Sequence, residues 1–102
     1  MKRFSEYGRD ILKAREALRL KAYLDGGGVP TIGWGHTKGV KLGDVITLQQ
    51  AEEFLSQDLY DFELAINRLV HVEINQNQYD ALVSLVFNIG ITAFRTVPLD
   101  VN

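Results

Sequence analysis

From Phe4 to Leu18 the apolar residues Phe4, Tyr7, Ile11, Leu12 and Leu18 recur at spacings of three, four and seven. That spacing predicts an amphipathic helix entered near Ser5 and ended before Gly26. Between Leu20 and Thr37 the texture changes to LKAYL, then Asp25 with three glycines, then VPTIGWGHT. Apolar residues alternating around a glycine turn predict a hairpin or small sheet. Thr47 with Gln50 is a capping-box pattern. It opens a helix through Ala51, Phe54, Leu55, Leu59 and Phe62 to about Leu69. Asn75 with Gln78 repeats the pattern and leads into Tyr79–Ile89, with Gly90 as the stop. Helices flanking a short hairpin define an α+β chain.

The last helix carries a further expectation. At 100° per residue, Leu82, Val83, Leu85, Val86, Phe87 and Ile89 span an apolar arc of roughly 200°. Ala81, Ser84 and Asn88 form one narrow small or polar stripe. Such a helix belongs inside a domain, yet only 12 residues follow Gly90 and they include Pro98. The expectation is that the chain is incomplete or that a second chain supplies the missing layer. A homo-oligomer or helix-exchanged dimer would bury Leu82, Leu85, Val86 and Ile89.

A length of 102 residues allows one domain, and 46% hydrophobic with 24% charged residues excludes wholesale disorder. Cysteine is absent, which removes disulfides, thiolate metal sites and a cysteine nucleophile. No apolar run nears the ~18 residues of a membrane span, and the N-terminus lacks the apolar block of a signal peptide. The expected location is therefore a cytoplasm, without stable membrane insertion. The net charge of −2 hides an asymmetry. Residues 1–41 hold nine Lys or Arg against four acids, and residues 42–102 hold two against nine. A basic half fits an anionic polymer such as nucleic acid or cell wall, and equally a solvated surface of mixed charge. Aromatic residues are not interleaved among the basic ones, so nucleic acid is not an expected partner.

Helix end, glycine turn and strand bring Glu16, Asp25 and Thr31 into one short span. Eight residues separate the first two and five separate the second pair. Two carboxylates near a glycine-rich turn are what glycosidic-bond hydrolysis requires, one as acid and one as base or nucleophile. Spacing alone is a weak signal, and on it Glu16 reads as a solvated helix residue and Asp25 as a turn former beside Gly26. Gly26, Gly27 and Gly28 are not a phosphate loop, because the GxxxxGK[ST] pattern is missing.

The stretch ILKAREALRLKAYLDGGGVPTIGWGHT closely resembles the start of the phage-type lysozymes, the endolysin family of glycoside hydrolases. Their signature is Glu, eight residues, Asp or Cys, five residues, Thr, which Glu16, Asp25 and Thr31 match without a gap. ITLQQAEEFLSQDL resembles the family's domain-connecting helix, and INQNQYDALVSLVFNIG the buried helix of its second lobe. The resemblance implies a single lysozyme-like α+β domain. Residues 1–46 would form the N-terminal lobe with the active-site hairpin, and residues 47–102 the connecting helix and a partial helical lobe.

It also implies a peptidoglycan hydrolase that cleaves the β-1,4 bond between N-acetylmuramic acid and N-acetylglucosamine. Glu16 would act as general acid, Asp25 would position or activate water, and Thr31 would hold that water or the substrate. Asn88, Phe87 and Gly35 are the expected substrate contacts, and His36 a supporting residue. No metal and no cofactor are needed. The implied place of action is the cell wall, reached from the host cytoplasm at lysis.

Three departures bear on this. Ala17 replaces a common glycine, and Arg15 stands beside Glu16 where many relatives carry an aromatic. After the AFR segment the family continues with further helices, whereas this chain runs Thr96-Val97-Pro98-Leu99-Asp100-Val101-Asn102. The alternative reading is a non-catalytic lysozyme fragment that binds wall sugars, pairs with another lysozyme chain, or has no role.

Overall fold

The structure is a computed structural model that describes residues 2–90. The tail Thr96–Asn102, one of the departures noted above, lies outside those residues. In order, the elements are α1 (Glu6–Arg15), β1 (Arg19–Leu24), β2 (Pro30–Gly33), α2 (Leu48–Leu69) and α3 (Gln76–Ile89). The chain divides into two compact units, one of Asp10–Asp58 and one of Met1–Arg9 with Leu59–Asn102. The divisions fall inside α1 and α2 rather than at residue 46, because the start of α1 is tied to residues of α2 and α3.

Those ties lie in the second unit. Ser5 caps α1 by accepting from the Gly8 N–H at 3.0 Å, which satisfies one of the donors a helix start leaves open. The Ser5 N–H and hydroxyl both donate to Asp80 on α3. The Phe4 N–H donates to Glu63 on α2, as does the Arg3 guanidinium at 3.1 Å. A Cβ at position 8 would sit 2.6 Å from the Phe4 ring, so any larger residue there must displace that ring. Leu59, Ala65, Ile66, Tyr79, Val83 and Val86 are the buried core of this unit.

Both capping boxes form. Thr47 accepts from the Gln50 N–H at 3.1 Å, and the Gln50 side chain accepts from the Thr47 N–H at 2.9 Å. Asn75 and Gln78 do the same at 2.8 and 2.9 Å. Gly90, at φ +82°, ends α3 with its N–H on the Val86 carbonyl.

On α3 the buried stripe is narrower than the apolar arc. Tyr79, Val83 and Val86 are buried, whereas Leu85 and Ile89 are 53% and 44% exposed. This corrects one expectation: Val86 is not part of an open face, because it already fills the core of its own unit. The apolar face left to solvent centres on Leu85 and Ile89.

The first unit holds the sheet. β1 and β2 pair antiparallel, with Arg19 opposite Gly33, Tyr23 opposite Thr31 and Leu24 opposite Pro30. Three residues lie between Arg19 and Tyr23 on β1 where only one lies between Gly33 and Thr31 on β2, a bulge that sharpens the local twist. The other edge of the bulged stretch is covered by residues 44–46. The Ala22 N–H reaches Asp44, the Ile46 N–H reaches Leu20, and Lys21 bridges Val45. Leu12, Ala22, Ile32, Trp34, Ala51 and Leu55 are the buried core here.

Candidate active site

Glu16 stands where α1 gives way to the connection into β1. Its N–H still donates to the Leu12 carbonyl at 2.9 Å, so the helical turn holds the residue in place. The side chain is half-buried. Among the described residues its carboxylate has no ion pair or hydrogen bond, and the adjacent Arg15 does not pair with it. Adjacent helical positions diverge by about 100°, which explains why proximity in sequence brings no contact.

Asp25 and Thr31 are linked through one residue, Val29. Asp25 Oδ1 accepts from the Gly27 N–H at 2.8 Å and the Val29 N–H at 3.0 Å. The Val29 carbonyl in turn accepts from the Asp25 N–H at 3.0 Å and the Thr31 hydroxyl at 2.9 Å. Asp25 is therefore the residue that shapes the turn. Oδ1 is committed to the backbone, and Oδ2 belongs to an exposed side chain in contact with solvent. Thr31 is 3% exposed and its Oγ is oriented by donation to Val29, which leaves the hydroxyl's lone pairs as acceptors.

After β2 the chain reverses tightly through Gly33 and Gly35, at φ +66° and +80°. This conformation suits residues without a Cβ. The reversal pairs His36 with Ile32 through two backbone bonds of 2.9 Å. His36 is buried, stacks on Phe54 at 4.2 Å between ring centroids, and sets Nδ1 2.8 Å from Asp58 Oδ2. The carboxylate accepts, which fixes the proton on Nδ1. Thr31 is thus held one residue from a strand position anchored to α2. Lys13 makes a second anchor on α2, since its ammonium reaches Glu52 at 2.7 Å and lies 4.8 Å from the Trp34 ring centroid.

Phe87 and Asn88 lie on α3, in the other unit. Phe87 is half-buried and meets Phe62 edge-on at 5.6 Å, and Asn88 is exposed. Trp34 is buried beneath Lys13, and Tyr23 is half-buried on β1.

Asp58, Glu63 and Lys13, each with a partner in the fold, were not singled out from sequence. Asp58 and Glu63 each interrupt the inward stripe of α2, Asp58 seven residues after Ala51 and Glu63 four after Leu59. An acid on an otherwise buried stripe is a readable signal that something must neutralise it. Lys13 carries no such signal. Among the described residues no group of three or more His, Asp or Glu is arranged to hold a metal.

A family profile described as phage lysozyme matches residues 13–99, so the chain belongs to the phage lysozyme family. It is 50% identical over 95 residues to an endolysin of Acyrthosiphon pisum secondary endosymbiont phage 1, covering 93% of this chain and 65% of that protein. It is 50% identical over 99 residues to the endolysin of Salmonella phage P22, covering 92% of this chain and 68% of the other. The fold is similar to the muramidase domain of SpmX from Asticaccaulis excentricus, at a TM-score of 0.82 and 41% identity over 92% of this chain and 64% of that one. The chain spans about two thirds of the length of these relatives.

Proposed function

We propose that the chain hydrolyses the β-1,4 bond between N-acetylmuramic acid and N-acetylglucosamine in peptidoglycan, as an endolysin acting in host lysis. The observation that carries this reading is the contrast between its two carboxylates. Glu16 is half-buried without an ion pair among the described residues, and Asp25 is solvent-exposed and anchored by two backbone N–H groups. Glycosidic hydrolysis needs that division of labour. Glu16 donates the proton to the leaving oxygen, Asp25 Oδ2 orients or activates water, and the Thr31 hydroxyl holds that water or the sugar. His36 supports the strand carrying Thr31, and Gly35 contacts the glycan. No metal or cofactor enters the reaction. The protein accumulates in the host cytoplasm and reaches the wall at lysis. Among the described residues no helix is long and apolar enough to cross a membrane.

Clearing of permeabilised Gram-negative cells, followed by turbidity with Glu16→Gln as the blank, tests the reading. General acid catalysis contributes about 10²–10⁴-fold, and the variant should lose activity on that scale. Equal clearing by both proteins, or none by either, rejects the hydrolase.

Exposed Leu85 and Ile89 favour a second reading, in which two copies of the chain cover each other's α3. Light scattering should then report a dimer that Leu85→Lys with Ile89→Lys dissociates. A monodisperse monomer before substitution removes this reading.

A further inference from the structure

Arg19 and Tyr23 make a second recognition feature beside the proposed hydrolytic residues. The Arg19 guanidinium carbon lies 4.5 Å from the centroid of the Tyr23 ring, a stacked arrangement across the bulge of β1. Tyr23 is paired directly with Thr31, and directly opposed residues of antiparallel strands share a face of the sheet. The stacked pair therefore borders the face that bears Thr31. In a guanidinium the N–H bonds lie in the plane of the group, so its donor edge is distinct from the face that can lie on a ring. Among the described residues that edge has no hydrogen-bonded or ion-paired acceptor, although the side chain is exposed and charged. A planar fork of donors held against an aromatic ring, with its edge open, matches the geometry of a carboxylate.

We propose that Arg19, propped on Tyr23, selects glycan strands bearing anionic substituents by pairing with a carboxylate of the peptide stems on peptidoglycan. This rests on the hydrolase reading, for which it names a specificity determinant that neither the Glu16–Asp25–Thr31 spacing nor the family signature contains. The Tyr23 ring restrains the guanidinium, so less side-chain freedom is lost on binding than for an unrestrained surface arginine.

The test compares two soluble tetrasaccharides, one of alternating N-acetylglucosamine and N-acetylmuramic acid carrying peptide stems, the other neutral tetra-N-acetylchitotetraose. Binding is measured in the full chain carrying Glu16→Gln, so that neither ligand is cut, with and without Arg19→Gln. The stem-bearing ligand should bind about three- to five-fold more tightly, as an exposed charge pair of good geometry allows. Arg19→Gln should abolish that preference while leaving the neutral ligand unchanged. The preference should also shrink as added salt shortens the screening length. No preference in the parent, a preference that survives Arg19→Gln, or equal weakening of both ligands overturns the proposal and leaves the hydrolase reading intact. Failure of both tetrasaccharides to bind, together with absent clearing, overturns the hydrolase reading and this proposal with it.

Discussion

His36 shows how a single side chain can serve the site without touching substrate. Its ring is sandwiched into the first unit by Phe54, its Nδ1 is engaged by Asp58, and its backbone is locked to Ile32. His36→Asn removes the stack and the pairing together and leaves Asp58 with a lost partner. The expected cost is about 2–3 kcal/mol, read as a lower urea midpoint. A substitution without effect on the midpoint would show that the pair carries no stability. The glycine-rich segment was legible as a turn from composition alone, and Asp25 as a turn former was one of two readings its position allowed. The hydrogen bonds of Oδ1 join the two, since the carboxylate that shapes the turn belongs to an exposed side chain.

At the scale of elements, the helix starts were the most readable features. A capping box is a local device, closed within four residues, so its sequence pattern needs no tertiary partner. Thr47 with Gln50 and Asn75 with Gln78 both close as expected. Asn75→Ala removes the acceptor for the Gln78 N–H and should lower stability by about 1 kcal/mol, measurable by thermal unfolding. The hairpin was equally visible, but the bulge in β1 was not. Alternation of apolar residues does not reveal where two extra residues are inserted, and that insertion sets which side chains lie beside Thr31.

At the scale of the whole molecule, the segment from Lys2 to Ser5 is bound to α2 and α3 by a polar network. The Tyr79 hydroxyl donates to the Lys2 carbonyl at 2.7 Å and accepts from Asn67 at 2.8 Å. Glu63, only 2% exposed, receives Arg3, which holds the guanidinium still more firmly protonated than usual. Burial, helped by the nearby Glu63, raises the Tyr79 hydroxyl above its ordinary value, against the lowering effect of the Asn67 hydrogen bond. The folded state therefore prefers the neutral phenol. Its contribution is complete below about pH 10 and is lost as pH climbs from there through the folded-state value. The urea midpoint should fall as pH rises above about 10, and Tyr79→Phe should flatten that fall while lowering stability at neutral pH by about 1 kcal/mol. An unchanged slope in the variant would assign the alkaline loss to other groups.

What the amino-acid order determined by itself was local: the helical periods, the two capping boxes, the glycine turn, and the Glu16, Asp25 and Thr31 spacing with its family signature. Each is closed over a few residues or carried as a linear motif. Only the tertiary structure decided that Val29 links Asp25 to Thr31, that His36 meets Asp58, and that Val86 is core while Leu85 is not. It also decided that Arg19 lies on Tyr23. Those outcomes depend on strand register and on which neighbour covers a given helix face. Hydrophobic period reveals that a face is apolar; burial depends on what packs against it.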